Sequence, residues 1–435
     1  MAVTKNTIQG KKFSWNTETA LATEAAVGLR VDFRPETFEF PHKESQAYIP
    51  ESGGHTNPAD VNKAIPFKDG SGTGSMSMVV RRATAALEPS VGVFLKAGGW
   101  TMAKLTGSTT VKEDTTATDL IYTADAGAVD GSFVLVETTD DRFEPVHCAS
   151  YVAVGTHSVP VFAMSADPTD LNIIQQMHTY YPQTGTLAAT ESLTFAELSR
   201  ATDGTPAAQE WVHGGCSCVL KTITIEPNKP WLFEFEVLIA DTDIGPKAWA
   251  VEVDHEVDGV AMINNDFEFL IETANAAGAG GMARTSMGIR KVTIDTGVTA
   301  EKITSVGGST DVNSVGGYTI KTVPPTWTVD GWFDVDWIDA WKTEFIEGTG
   351  TNPGIALMAS SASQDYLLYP AIAVSSPLCY LVDAPDVMTE GTDSGLVEMS
   401  LQFTATAAGL KAGGGPTAAA DQAIYVGISG YVAGA

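Results

Sequence analysis

Positive charge is what this chain has least of. Lysine and arginine number 25 against 53 aspartates and glutamates in 435 residues, a formal net charge of −28. A protein that grips nucleic acid neutralises phosphates with clustered cations. No basic run here exceeds two residues, as in Lys11-Lys12 and Arg81-Arg82. That distribution argues against a nucleic-acid grip and against attachment to anionic membrane, and it favours solubility at high subunit concentration. Cysteine is equally sparse: Cys148, Cys216, Cys218 and Cys379. Cys216 and Cys218 stand too close for an ordinary disulfide framework, and no second pair offers zinc spacing, so reduced and mostly buried thiols are expected. No run of about 20 apolar residues exists to span a bilayer. The opening MAVTKNTIQGKKFSW lacks the apolar centre of a signal peptide, which predicts a product made in the cytoplasm.

What is present is a turn-rich globular composition, with 44% hydrophobic residues, 42 glycines and 21 prolines. Short apolar runs separated by Gly, Asp, Asn, Pro and Thr predict a mainly β chain, and the length allows two to three domains. In PWLFEFEVLIAD, Trp231, Phe233, Phe235, Val237 and Ile239 face one way, with Glu234 and Glu236 opposite. KTITIE (221–226) alternates before it, and Pro227-Asn228-Lys229-Pro230 supplies the turn of an antiparallel pair. GLVEMSLQFTA repeats the pattern with Val397, Met399, Leu401 and Phe403, after the turn-rich EGTDSG. Two similar strand units, 221–239 and 387–405, predict a duplicated β domain with the join at DTDIGPK (241–247), hence domains 1–246 and 247–435. WAVEVDHEVDGVAM then reads as a hairpin turning at Asp258-Gly259. Residues 34–75 read as a long loop or arm, a length that usually has a job. EPSVGVFLKAGG (88–99) reads as a short helix. Residues 406–422 form a low-complexity connector before a last strand, AIYVGISGYVAG.

Several constellations invite a chemical reading and fall short of it. VDGWFDVDWIDAW (329–341) resembles the catalytic strand of chitinase-type glycoside hydrolases, Asp-Gly-x-Asp-x-Asp-x-Glu, whose acids point into one cleft from alternate positions. Here one residue too many separates Asp330-Gly331 from Asp334, and Ile338 stands where the proton donor belongs. A strand carrying Phe333, Val335 and Trp337 on one face and Trp332, Asp334 and Asp336 on the other explains the run. It passes into a short amphipathic helix through Ile338, Trp341 and Phe345. Glu252, Asp254 and Glu256 before Asp258-Gly259 are similar to a calcium loop, but Asn265 occupies the place of its closing glutamate. GSGTGS (70–75) and GAGG (278–281) lack the Gly-Lys-Ser/Thr of a phosphate loop and read as loops. His147 and Cys148 are neighbours, and strand neighbours point to opposite faces. No catalytic, cofactor-binding or metal residue is therefore assigned, no cofactor is expected, and the chain is expected not to be an enzyme.

Shape and assembly remain. SMSMVVRRATAALEPSVGVFLKAGGW, EWVHGGCSCVLKTITIEPNKPWLFEFEVLIAD, and DYLLYPAIAVSSPL with GLVEMSLQFTATA together resemble segments of the tail tube (major tail) proteins of long-tailed bacteriophages. Cys216 to Ile225 stands in the place of that family's Gly-Cys-x-Val-x-Ser-x-x-Ile segment, and the second half has no clean counterpart. The resemblance implies two β-sandwich or partial-barrel domains with short flanking helices and long loops. It implies a virion protein whose rings stack into a tail tube for DNA passage, with other tail proteins as partners and DNA in transient, non-specific contact. Single-domain members form hexameric rings, so a duplicated chain is expected to close the ring as a trimer of pseudo-sixfold symmetry, or else as a hexamer. Two rival readings are an acidic carbohydrate-binding or glycan-cleaving β protein and another phage structural part, of capsid or decoration type.

Overall fold

The computed structural model describes residues 11–22, 31–41, 45–49, 65–69, 71–83, 88–103, 109–110, 119–122, 132–138, 142–148, 157–160, 167–169, 173–183, 185–187, 191–199, 209–246, 253–254, 256–261, 267–273, 283–284, 289–304, 315–332, 355–361, 371–382, 389–390, 397–406 and 422–429. The chain is mainly β, and one helix occurs among the described residues. A first group comprises β1 (Lys11–Thr17), β2 (Val31–Phe33), β3 (Thr37–Glu39), β4 (Ser45–Ile49), β5 (Ile65–Asp69), β6 (Gly72–Val79) and β7 (Arg81–Ala83), then α1 (Ser90–Ala97). Next come β8 (Trp100–Ala103), β9 (Thr109–Thr110), β10 (Asp119–Tyr122), β11 (Phe133–Glu137), β12 (Phe143–His147), β13 (His157–Pro160), β14 (Ile173–Pro182) and β15 (Gly185–Thr186). β16 (Leu193–Ser199), β17 (Gln209–Ile225), β18 (Leu232–Ile239) and β19 (Asp241–Pro246) complete the first half. β20 (Val253–Asp254) and β21 (Glu256–Ala261) lead into the second. It runs through β22 (Phe267–Thr273), β23 (Ala283–Arg284), β24 (Ile289–Asp295), β25 (Val298–Thr304), β26 (Val315–Thr322) and β27 (Thr326–Trp332). It closes with β28 (Ile355–Ser361), β29 (Ile372–Leu381), β30 (Thr389–Glu390), β31 (Val397–Ala405) and β32 (Tyr425–Ser429).

The two halves follow one pairing scheme. β1 lies between β2 and β16; β16 pairs with β17, β17 with β18 and β19, β18 with β6, and β6 with β3. β22 lies between β23 and β28; β28 pairs with β29, β29 with β31 and β32, β31 with β27, and β27 with β24. All these pairs are antiparallel, and the strands come in the same order along the chain. The agreement reaches a single bulge. Leu193 faces Cys216 and Phe195 faces His213, while Ile355 faces Cys379 and Leu357 faces Ser376, two steps against three in both cases. In each, the cysteine Sγ donates to the carbonyl three residues back, that of His213 at 3.3 Å and of Ser376 at 3.7 Å. A bulge bends its strand and lets the two ends enter different sheets. β17 accordingly pairs with β16 and β19 ahead of Cys216 and with β18 and β24 beyond it. Gly215 makes the bend at φ 61°, a left-handed conformation that costs glycine nothing. The likeness expected of 221–239 and 387–405 thus extends through both halves.

Four local expectations change. DTDIGPK is not a linker: Asp241–Pro246 is a strand on β17, with Thr242 buried and Asp243 exposed, so its polar residues alternate as an edge strand's do. Pairing also runs across the 246/247 division, through β17 with β24, β14 with β32, and the parallel pair β2 with β20. Residues 34–75 contain β3, the β4–β5 hairpin in register from Ser45↔Asp69 to Ile49↔Ile65, and the start of β6. The turn formers between β4 and β5 masked those short runs. Gly72–Ser75 of the glycine cluster belong to β6, where Phe40 Cδ1 sits 2.7 Å from the place a Cβ on Gly74 would take. Asp258-Gly259 lies within β21, which pairs with β7 across a register break between Glu256 and Ala261, instead of turning a hairpin. The 278–281 cluster lies outside the described residues.

The main core packs α1 against the bent sheet. Phe94 meets Trp15, Phe33, Phe195 and Phe235 with ring centroids 5.4–6.2 Å apart, mostly edge-on. The helix expected from EPSVGVFLKAGG is there, running from Pro89 at its N-cap to Gly98 at its C-cap. The first half carries an addition, β8 to β15, between α1 and β16, whereas in the second half β28 is the next element after β27 among the described residues. This addition joins the halves. β14 pairs with β32, and Phe133, Leu135, Phe143 and Met177 share a second apolar cluster with Ala356, Met358, Ala373 and Tyr425. In the main core, buried Trp327 donates from Nε1 to Ser376 Oγ at 2.8 Å, beside the second bulge. Trp327→Phe is expected to cost about 1–3 kcal/mol, from one orphaned buried hydroxyl and a lost ring. A urea midpoint unchanged from the parent would show that this bond is not stabilising.

Candidate functional site

The described residues that present the largest chemically uniform surface lie on one sheet. β3, β6, β18, β17, β24, β27, β31 and β29 are hydrogen-bonded in that order, eight antiparallel strands drawn from both halves. Successive cross-strand rows alternate in character, as a two-sided sheet requires. One row reads Thr37, Ser77, Glu234, Thr222, Asp295, Thr326, Thr404, Tyr380. The next reads Met78, Phe233, Ile223, Ile294, Trp327, Phe403, Leu381, with all but the last buried in the core. Beyond it, Thr224, Thr293, Thr328 and Gln402 are level, and then Ile225, Val292, Val329 and Leu401.

The wet face is built of hydroxyls and carboxylates. Among the described side chains, Glu39, Glu234, Glu236, Asp295 and Asp330 are set against Lys221 and Lys291, with Arg290 exposed at the β24 bulge. The charges are partly tied to the sheet itself. Thr222 donates to Glu234, and Lys221 Nζ lies 3.0 Å from Glu236. Both partners of that ion pair are more than a third exposed, so it fixes side-chain position more than it stabilises the fold. The first-half part of the face encloses an open groove of about 790 Å³ lined by Glu39, Glu234 and Glu236 with Lys221 among them, and by Thr73, Ser75 and Thr222. Such a surface carries more carboxylates than cations, and its cations are scattered instead of clustered, so it holds a polyanion poorly.

The residues weighed for chemistry do not converge. Asp330 is half-buried on β27, opposite Lys291 and Ser400, between the buried Val329 and Gly331; 333–341 lies outside the described residues, as does Glu252. Asp254 and Glu256 fall on separate strands, β20 and β21, and nothing further is described of their side chains. His147 turns its Nδ1 to Ser375 Oγ at 3.3 Å and packs between Phe133 and Tyr425. All four cysteines are free and buried. Burial pushes the thiols of Cys216, Cys218 and Cys379 up, which keeps them protonated and poor nucleophiles at neutral pH. Among the described residues no group of three or more His, Cys, Asp and Glu is arranged to hold a metal ion, and no helix is long and apolar enough to cross a membrane. Comparison with protein-family models and with curated proteins finds no match.

Sequence reasoning found the strands of β17, β18 and β31 but missed the face they share. Its signal is present, since KTITI, KVTID and TWTV each alternate threonine with an apolar or aromatic residue. What sequence does not supply is that these runs stand side by side.

Proposed function

We propose that this chain is a structural virion protein that assembles with copies of itself into stacked rings forming a phage tail tube. One observation carries the reading: an eight-stranded sheet whose open face is hydroxyl-rich and acidic, with β3 at one end paired on one side only among the described strands. A long sheet with an open edge invites association unless copies complete it. A conduit for DNA must not hold DNA, and a lining of carboxylates and small hydroxyls repels phosphates within a Debye length of about 8 Å at physiological salt. The recurrence of one pairing scheme in both halves supports a ring of three copies, which brings six such units around an axis.

Concentrated full-length protein is expected to form hollow filaments of uniform width in negative-stain micrographs. Discrete monomers at every concentration, or particles without a central channel, would exclude the tube. Reversing the lining with Glu234→Lys and Glu236→Lys should leave filaments intact but give them retention of labelled duplex DNA that falls steeply with added salt. Equal retention by both proteins would refute the lining role.

A further inference from the structure

The two halves differ in what their sheet-top hairpins do. β25–β26 joins β24 to β27, and β4–β5 joins β3 to β6, the same place in the pairing scheme. Phe67 precedes Gly74 by as many residues as Ile320 precedes Trp327. Gly74 and Trp327 hold equivalent stations, opposite Val237 of β18 and Phe403 of β31. By this count Ile65 corresponds to Tyr318 and Phe67 to Ile320.

The second-half hairpin lies on the first half of its own chain. Buried Tyr318 donates its hydroxyl to the carbonyls of Gly215 and Leu238. Leu187 N donates to Tyr318 O at 3.0 Å, β26 pairs with β15, and Lys302 Nζ donates to Gly72 O at 2.9 Å. Val315 and Ile320 are buried as well. The hairpin thus reaches back from β24 over β17, β18 and β6. The same direction, taken from β3, leads off the end of the sheet. β4–β5 accordingly forms a two-stranded sheet of its own.

The surface that corresponds to the Tyr318 dock is on the second half. Leu378 precedes Cys379 as Gly215 precedes Cys216, and Thr404 faces the residue after Cys379 as Leu238 faces the residue after Cys216. Gly215 and Leu238 are buried, whereas Leu378 and Thr404 are half-exposed; Leu378 O already accepts from Thr406 N at 2.8 Å, so what this counterpart leaves open is side-chain surface. β3 and β29 stand at opposite ends of the eight-stranded sheet, roughly 34 Å apart at about 4.8 Å per strand. We propose that β4–β5 is an arm that docks on the second half of a second copy of this chain, around Leu378 and Thr404, as β25–β26 docks on the first half of its own. The arm rests on the self-assembly reading above and places its contact within a ring instead of between rings.

Two full-length variants test it. In one, Ser45–Asp69 is replaced by a short Gly-Ser turn joining β3 to β6. In the other, Ile65→Cys and Leu378→Cys are combined. The shortened chain should keep the parent's circular dichroism and thermal unfolding, yet remain monomeric by light scattering at concentrations about tenfold above those at which the parent assembles. The double-cysteine chain should form covalent multimers on mild oxidation, absent from either single variant. Should the shortened chain unfold, the cross-link alone decides. Rings or filaments from the shortened chain, rings that merely fail to stack, or a cross-link confined to monomers would overturn the arm while leaving self-assembly intact. A parent that never assembles would overturn both.

Discussion

Above about pH 10 the folded chain is expected to lose stability steeply. Among the described residues, burial raises the pKa of six groups: the thiols of Cys216, Cys218 and Cys379, and the phenols of Tyr180, Tyr181 and Tyr318. For Tyr180 the nearby Glu88 carboxylate, to which it donates at 2.8 Å, adds to burial. For Cys216, burial comes first, followed by the proximity of Cys218 and Glu18. The sign follows from which state holds the proton. Unfolded thiols and phenols ionise at their ordinary values, 9.0 and 10.0, while the folded groups stay protonated well beyond them. The associated stability is present in full below those values and is lost as pH rises between the unfolded and the folded pKa. The slope of stability with pH counts the protons the folded chain holds beyond the unfolded one, so these groups act in the same direction. Urea midpoints measured from about pH 8 to 11 should be level at first and then fall sharply. A flat profile through about pH 11 would mean these groups are not shielded as the fold places them. Three of the six, Cys216, Cys218 and Tyr318, meet where the β25–β26 hairpin docks at the first bulge. Because a phenolate cannot donate to Gly215, ionisation of Tyr318 should open that dock.

How far the sequence reveals this arrangement depends on whether the cause is local. Phe233, Phe235 and Val237 alternate with Glu234 and Glu236, so β18 declares itself from period alone, and Pro89 with Gly98 brackets α1 just as plainly. The likeness of the two halves shows in sequence as two similar strand runs, but the extent of the shared pairing scheme does not. β17 carries Gly-Gly ahead of its cysteine where β29 carries Ser-Ser-Pro-Leu, so the shared bulge has no common motif and emerges only from which residues face each other. β19 misled for the opposite reason. Its Asp, Gly and Pro are turn formers by composition, and it is a strand because β17 offers it a free edge. The polar face was hidden in the same way, since no single run of alternating threonines says that its neighbours repeat it across the sheet.

Glu18→Gln is expected to cost about 2–3 kcal/mol, and Glu18→Ala about 4. Glu18 is 3% exposed, yet its carboxylate is fully engaged. Oε1 accepts from Gly215 N at 2.8 Å and Thr194 Oγ1 at 2.6 Å; Oε2 accepts from Ala22 N at 2.8 Å and Ser192 Oγ at 2.6 Å. The side chain therefore ties the end of β1, the start of β16 and the bend of β17 into one clasp. Hydroxyls can rotate to suit a glutamine amide, but a backbone N–H cannot reverse, so one of Ala22 and Gly215 must lose its acceptor. Alanine leaves both without one. Glu301→Gln is the control: its pair with Lys321 is half-exposed or more on both sides, and its loss should cost less than about 0.5 kcal/mol. Equal urea midpoints for Glu18→Gln and Glu301→Gln would dismiss the clasp. The bend it holds is where β17 leaves one sheet to enter the eight-stranded one. On the self-assembly proposed above, loosening it should also raise the concentration at which filaments form, at temperatures where the variant is still folded, while Glu301→Gln should behave like the parent.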